Sequence, residues 1–272
     1  MLKYKKKEGD MNTFEDLKKV YKKALKNTKN KIKTAPIIIF LPMIFNIILN
    51  ISGFLLSTFN TGVGGFNIIG GIISYIIEVI IISAMYSLLY DFAYYGRVSF
   101  KYLSSSYMSF FSHLTSAMFT LYIAELVISK ALGGMDYKIT LGIYALIFII
   151  FNTISEEIFI KGNYGLSQFE SSARYLKENF PHWIIMIAIY LLIRSTLLQS
   201  TLTDIAIEEN LLIQVGGQAN FFYSLFSGDL SRILLQTVGF LALGLYTAFR
   251  IESFKILDAS NPRKRKYGWF DD

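Results

Sequence analysis

The chain has 272 residues, of which 53% are hydrophobic and only 17% charged, with a mean hydropathy of +0.42; against soluble domains this excess runs toward lipid. Its formal charge is +7 and it has no cysteine, which excludes disulfides and thiolate metal sites. The positives lie beside apolar runs, where topology setting and contact with anionic headgroups are expected and nucleic-acid binding is not.

The first 34 residues are lysine-rich, and apolar sequence starts only at Ala35, so no cleavable leader is expected. Within them, Thr13-Phe14-Glu15-Asp16 has the pattern of a helix start. Phe14, Leu17, Tyr21 and Leu25 then recur at helical spacing, with Lys18, Lys19, Lys22 and Lys23 elsewhere on the helix. A helix with one apolar and one basic face lies in the headgroup plane. Six apolar stretches of spanning length follow, over 36–58, 68–90, 110–129, 139–160, 183–202 and 233–251.

Similar surface segments precede the third and fifth stretches. Ser99 opens Phe100, Leu103, Tyr107 and Phe111, and Ser167 accompanies Leu166, Phe169, Ala173, Leu176 and Phe180. The chain is therefore read as an all-α polytopic membrane protein in three pseudo-repeats, each an interfacial amphipathic helix plus two spans. The units are 12–96, 97–163 and 164–254 of one transmembrane domain (1–254), with a basic tail over 255–272. Lysine and arginine set the orientation: 23 of the 27 fall on one side. The reading is a multi-pass protein of the cell membrane with both termini cytoplasmic. On the opposite side, 204–229 is acidic at Asp204, Glu208 and Glu209 and then aromatic at Phe221, Phe222 and Tyr223. It is expected to pack as an outer cap and to offer a surface for a protein partner.

The layout resembles a group of bacterial six-span families, among them the membrane domain fused to some glycerophosphodiester phosphodiesterases and its standalone Gram-positive relatives. Tyr90-Asp91 through Gly96 with Val98-Ser99-Phe100, Gly165-Leu166-Ser167 through Lys177-Glu178-Asn179-Phe180, and Leu245 through Arg250 carry the likeness. It implies a fold and brings no catalytic residues with it.

Three sets of residues carry candidate chemistry. Ser155-Glu156-Glu157-Ile158-Phe159-Ile160-Lys161 looks like the first motif of the CAAX-type glutamate intramembrane proteases, with lysine in place of arginine. In such an enzyme Glu156 or Glu157 activates water with a histidine as partner, and only His182 follows nearby. The competing reading is a solvated carboxylate pair beside Lys161. Glu78, Arg194 and Glu125 fall inside apolar stretches, where charge is expensive and either pairs or faces a cavity. Glu78 and Arg194 form either an interhelical salt bridge or the site of a small secondary transporter. His113 stands alone; no pair of histidines has ligand spacing, so neither metal nor cofactor is expected. Finally, Arg263, Lys264, Arg265 and Lys266 join the N-terminal lysines as a headgroup-contacting set. The leading expectation is a non-enzymatic membrane protein that organises lipid or a partner protein, in an accessory, immunity or envelope-stress role. The transporter and the protease are the alternatives.

Overall fold

The computed structural model describes residues 13–60, 67–101, 103–200, 209–216, 221–226 and 228–260. The basic cluster at 263–266 and Asp204 and Glu208 lie outside these residues. Among the described residues the structure is helical and contains no strand. Five helices are long and apolar enough to cross a membrane: Gly70–Tyr95, Met108–Ala131, Tyr137–Phe159, Leu166–Leu197 and Leu230–Asp258. This places the chain in the helical membrane class. Their outward faces carry Ile72, Phe119, Val127, Leu146, Leu192 and Val238, all well exposed.

Helix α1 spans Thr13–Thr34. Pro36 opens a single 3-10 turn, Pro36–Ile39, and α2 follows as Leu41–Asn60. Of α2 the stretch Leu41–Ser57 is apolar but shorter than the five long helices. Two prolines, Pro36 and Pro42, explain the late start, since proline is tolerated in a first turn and disrupts an interior. Helix α3, Asn67–Tyr95, packs between α2 and α5, Met108–Ala131. The surface segment expected from Ser99 shortens to one turn, α4, Leu103–Ser106.

The fourth expected span is two helices. α6 covers Tyr137–Ile150, the chain turns through Phe151, Asn152 and Thr153, and α7 resumes over Ile154–Phe159. The fifth is continuous with the surface segment before it. α8 runs Leu166–Leu192 and bends where Asn179 leaves helical values (φ −121, ψ 22), two residues ahead of Pro181. It ends in a π turn, Ile193–Leu197. Pro181 thus kinks one helix where a separation was expected. The last helix, α11, Leu230–Asp258, is central: α1, the 36–39 turn, α2, α8 and the π turn all pack on it. The approach is close at Gly244, where an added Cβ would lie 2.1 Å from the Ile39 carbonyl oxygen.

The two surface helices present unexpected faces to the protein. On α1 the buried line is Asp16, Val20, Ala24 and Thr28, while Phe14 and Leu25 point outward. On α8 the buried line is Gln168, Ser172, Tyr175 and Asn179, while Leu166 and Phe180 are exposed. Polar and small residues turn inward to find partners while large apolar ones face outward, the pattern of helices packed in a bilayer.

The loop between α8 and α11 corrects the expected outer cap. α9, Glu209–Leu212, and a 3-10 turn, Ile213–Val215, run into the bundle, with Asn210, Leu211, Ile213, Gln214 and Val215 all buried. Gly216 then turns the chain in the left-handed region, φ +79, against Leu198, Phe240 and Leu243. α10, Phe221–Phe226, packs on α2 and α11. The described flanks of this loop pack on the first half of α11, Leu198 on Gln236 and Gly239 and Phe221 on Phe240, whereas α1 bonds its second half at Glu252; reaching inward from those flanks, 209–216 is re-entrant. Irregular backbone at such depth is tolerated only where protein or a wet cavity surrounds it.

Candidate functional site

The break in the fourth span brings the glutamate motif inside the protein. Because α6 ends at Ile150, the side chain and carbonyl of Asn152 are free to accept bonds that a continuous helix would withhold. Ser155, Glu156 and Glu157, on α7, are all fully buried. Opposite them stands Arg250 of α11, likewise 0% exposed.

Arg250 uses its whole donor set. Nε donates to Glu156 Oε1 at 2.6 Å and Nη2 to Glu156 Oε2 at 2.8 Å. Nη1 donates to Asn152 Oδ1 at 2.8 Å and to the Tyr246 hydroxyl at 3.0 Å, and Nη2 also reaches the Asn152 carbonyl at 2.5 Å. The guanidinium lies 4.7 Å from the centroid of the Trp183 ring, whose Nε1 donates to Asn152 Oδ1 at 3.0 Å. Forked geometry of this kind is what arginine offers a carboxylate and lysine cannot. Glu156 is saturated from the other side too. Ser155 Oγ donates to Oε2 at 3.0 Å, and Gln214 Nε2 donates to Oε1 at 3.2 Å and to Ser155 Oγ at 2.7 Å. Gln214 belongs to the re-entrant segment, so three chain segments, α7, α11 and 209–216, meet on one carboxylate. A buried charge persists only where every partner is supplied.

No family model, curated protein or solved structure matches this chain.

Glu157 takes a separate path. Lys161 Nζ lies 3.2 Å from its Oε1 and 2.7 Å from Asp258 Oδ1, and Asn163 Nδ2 donates to its Oε2 at 2.7 Å. Burial acts to lower the Lys161 pKa, but the Asp258 and Glu157 carboxylates override it and hold the ammonium above its ordinary value. The expected solvated carboxylate pair is thus corrected: Glu157 pairs with Lys161, but both glutamates are buried and each is held by its own cation.

His182 sits on α8 with Nε2 3.2 Å from Asp16 Oδ2 of α1. Tyr21 of the same helix donates its hydroxyl to the His182 carbonyl. Burial, and then the neighbouring Tyr246, push the Tyr21 phenol well above its ordinary pKa, so it stays a donor. Among the described residues neither a hydrogen bond nor an ion pair links His182 to Glu156 or Glu157. Its contacts dock α1 onto α8. The same helix is tied to α11 and α3 further on. Lys31 Nζ pairs with Glu252 Oε1 at 2.6 Å and donates to the Phe92 and Ala93 carbonyls at 3.2 and 2.5 Å. Lys255 adds a bond to the Ala93 carbonyl at 2.5 Å. Two ammonium groups therefore cap the carbonyl end of α3, the pole of a helix that favours positive charge.

The other intramembrane charges do not converge. Glu78 is half-buried on α3, which packs on α2 and α5, whereas Arg194 is buried in the π turn that packs on α8 and α11. No ion pair joins them among the described residues, which corrects the expected salt bridge. Glu125 is half-buried on α5, and His113 sets its ring edge against Tyr164 at 5.4 Å. No cluster of metal-ligating side chains occurs among the described residues.

Sequence reading missed Arg250, Asn152, Trp183, Tyr246 and Gln214. Arg250 enters the sequence reading only as the last residue of the Leu245–Arg250 likeness and as one of the positives that set orientation, yet Phe249 and Ile251 flank it within an apolar helix. That flanking, together with glutamates inside another apolar stretch, was the available signal.

Proposed function

We propose that this protein is a non-enzymatic six-span membrane protein, with α2 as the sixth crossing and both termini cytoplasmic, that gathers anionic lipid headgroups at its cytoplasmic face through α1. The arrangement of α1 carries the reading. At 3.6 residues per turn its circumference divides into three sectors. Val20, Ala24 and Thr28 are buried in the protein, while Phe14 and Leu25 form an apolar edge 71% and 62% exposed. Beyond that edge Lys18, Lys22 and Lys29 are all exposed. An apolar edge for the acyl boundary beside a lysine face for the headgroups is the geometry of an interfacial helix. Each lysine near an anionic surface contributes about 1 kcal/mol. Glu156 and Glu157, each held by its own cation, support a bracing role for the motif over a proteolytic one.

Native mass spectrometry of the purified protein tests this. Wild type should retain phosphatidylglycerol in preference to phosphatidylcholine. A variant carrying Lys18→Gln, Lys19→Gln, Lys22→Gln and Lys23→Gln should lose that preference while keeping its thermal stability. Undiminished preference in the variant would sink the proposal.

A further inference from the structure

The re-entrant segment supports a second, independent reading. Gly216 turns against Phe240 and Leu243, about 10 Å along α11 from Arg250 at 1.5 Å per residue, and Gln214, two residues earlier, reaches the Arg250–Glu156 pair. It does so on a single turn of helix and a single 3-10 turn. Its described polar attachments are few. Tyr86 donates its hydroxyl to the Leu211 carbonyl at 3.1 Å, Asn46 Nδ2 donates to the Val215 carbonyl at 3.1 Å, and Gln214 holds Ser155 and Glu156.

Each buried polar group without a partner costs free energy. Such atoms are scattered through the bundle, on Gln168, Asn179 and Ser253 among others, and the segment holds several of them. Both polar atoms of Asn210 and Oε1 of Gln214 are buried without a hydrogen-bond partner among the described residues, and so is Oε1 of Gln236 on α11. The segment ends in left-handed backbone at Gly216, φ +79. Such a point is where a hinged element absorbs rotation. The fourth span is broken at Asn152, beside the same ion pair. Broken helices and re-entrant backbone meeting on buried charge are features of gated membrane pathways.

We propose that residues 209–216 form a gate, latched by Gln214, whose release opens the Glu156–Arg250 pair to water from the side opposite the termini. The latch is the two-bond contact of one carboxamide with Ser155 and Glu156. The polar atoms of Asn210 and Oε1 of Gln236 gain water partners when it lifts.

The absence of native cysteine makes the test direct. Single cysteines at Asn210 and Gln236 should react slowly with a membrane-impermeant thiol reagent applied to that side of proteoliposomes. Gln214→Leu should raise both rates roughly tenfold or more, as expected for losing a hydrogen bond to a charged group. Tyr86→Phe, a milder change, should act in the same direction. Met85→Cys, buried on α3, should remain protected in every background. The gate is refuted if neither latch variant alters the Asn210 and Gln236 rates. It is equally refuted if Met85 accelerates in parallel, or if reaction occurs only from the terminus side.

Discussion

Arg250 and Glu156 meet through two parallel bonds, Nε to Oε1 at 2.6 Å and Nη2 to Oε2 at 2.8 Å, and neither side chain has any exposed surface. Removing one partner strands the other charge where no water can reach it. Arg250→Met or Glu156→Leu alone should therefore cost about 3–5 kcal/mol, and the double variant should cost less than either. Thermal unfolding in detergent, run as a double-mutant cycle, reads the coupling directly. Additive losses would mean that the pair contributes nothing beyond its separate contacts.

Gly244 gives a steric prediction of a different kind. A Cβ there would lie 2.1 Å from the Ile39 carbonyl oxygen and 2.6 Å from its Cα, both backbone atoms that cannot rotate aside. Gly244→Ala should push the 36–39 turn off α11 and lower the unfolding temperature sharply. At Gly53 and Gly142 nothing lies within 4 Å, so alanine there should be neutral or stabilising by up to about 1 kcal/mol. Equal effects at the three sites would contradict the close approach.

What the sequence disclosed follows from which interactions are local. The long apolar runs announce helices that cross a bilayer, because hydrocarbon demands about 20 apolar residues whatever the fold. The stripe Phe14, Leu17, Tyr21 and Leu25 announced an amphipathic α1, but its inner face proved to be Val20, Ala24 and Thr28. Periodicity alone cannot tell lipid from protein as the apolar neighbour. Two other features depend on distant partners. The break at Asn152 is stabilised by Arg250, almost a hundred residues away, and Gln214 finds Ser155 across the bundle. Nothing in the local pattern of 204–229, acidic and then aromatic, tells a surface cap from a segment that dives inward. The glutamate motif was legible as unusual, and its cation was not.

Docking of α1 depends on Lys31, which links Glu252 to the carbonyl end of α3. Lys31→Met keeps the length of the side chain and removes the charge. It should leave Glu252 without its ammonium and free α1 at its C-terminal end. Limited proteolysis should then cut between α1 and α2 faster than in wild type, while the unfolding temperature of the remaining bundle changes little. Unchanged cleavage would assign the docking to the buried Val20, Ala24 and Thr28 face instead.

Glu78 and Arg194 provide a negative control for the buried pair. They lie on elements that pack on different neighbours, and no ion pair joins them among the described residues. Glu78→Gln and Arg194→Gln should each be tolerated or not on their own account, and their effects on thermal stability should add to within about 0.5 kcal/mol. Coupling well above that would restore a salt bridge between them.

The last prediction concerns topology, and it separates five crossings from six. Asn27 and Lys31 of α1 contact Glu252 near the end of α11, so both ends of the described chain lie on one side of the bundle. An odd number of crossings would place them on opposite sides, so the six-crossing reading proposed above predicts that α2 crosses even though its apolar stretch is the shortest. On the six-crossing reading 23 of the 27 positive residues fall to the terminal side, so that side should be the cytoplasm. Single cysteines are read without background in this chain. Thr61→Cys, beyond α2, and Met135→Cys, between α5 and α6 and 52% exposed, should react with an impermeant reagent on intact cells. Lys29→Cys and Lys177→Cys, both exposed on the terminal side, should react only after permeabilisation. Labelling of Lys29 together with Met135 from outside would overturn the orientation, and protection of Thr61 with labelling of Met135 would remove α2 from the crossings.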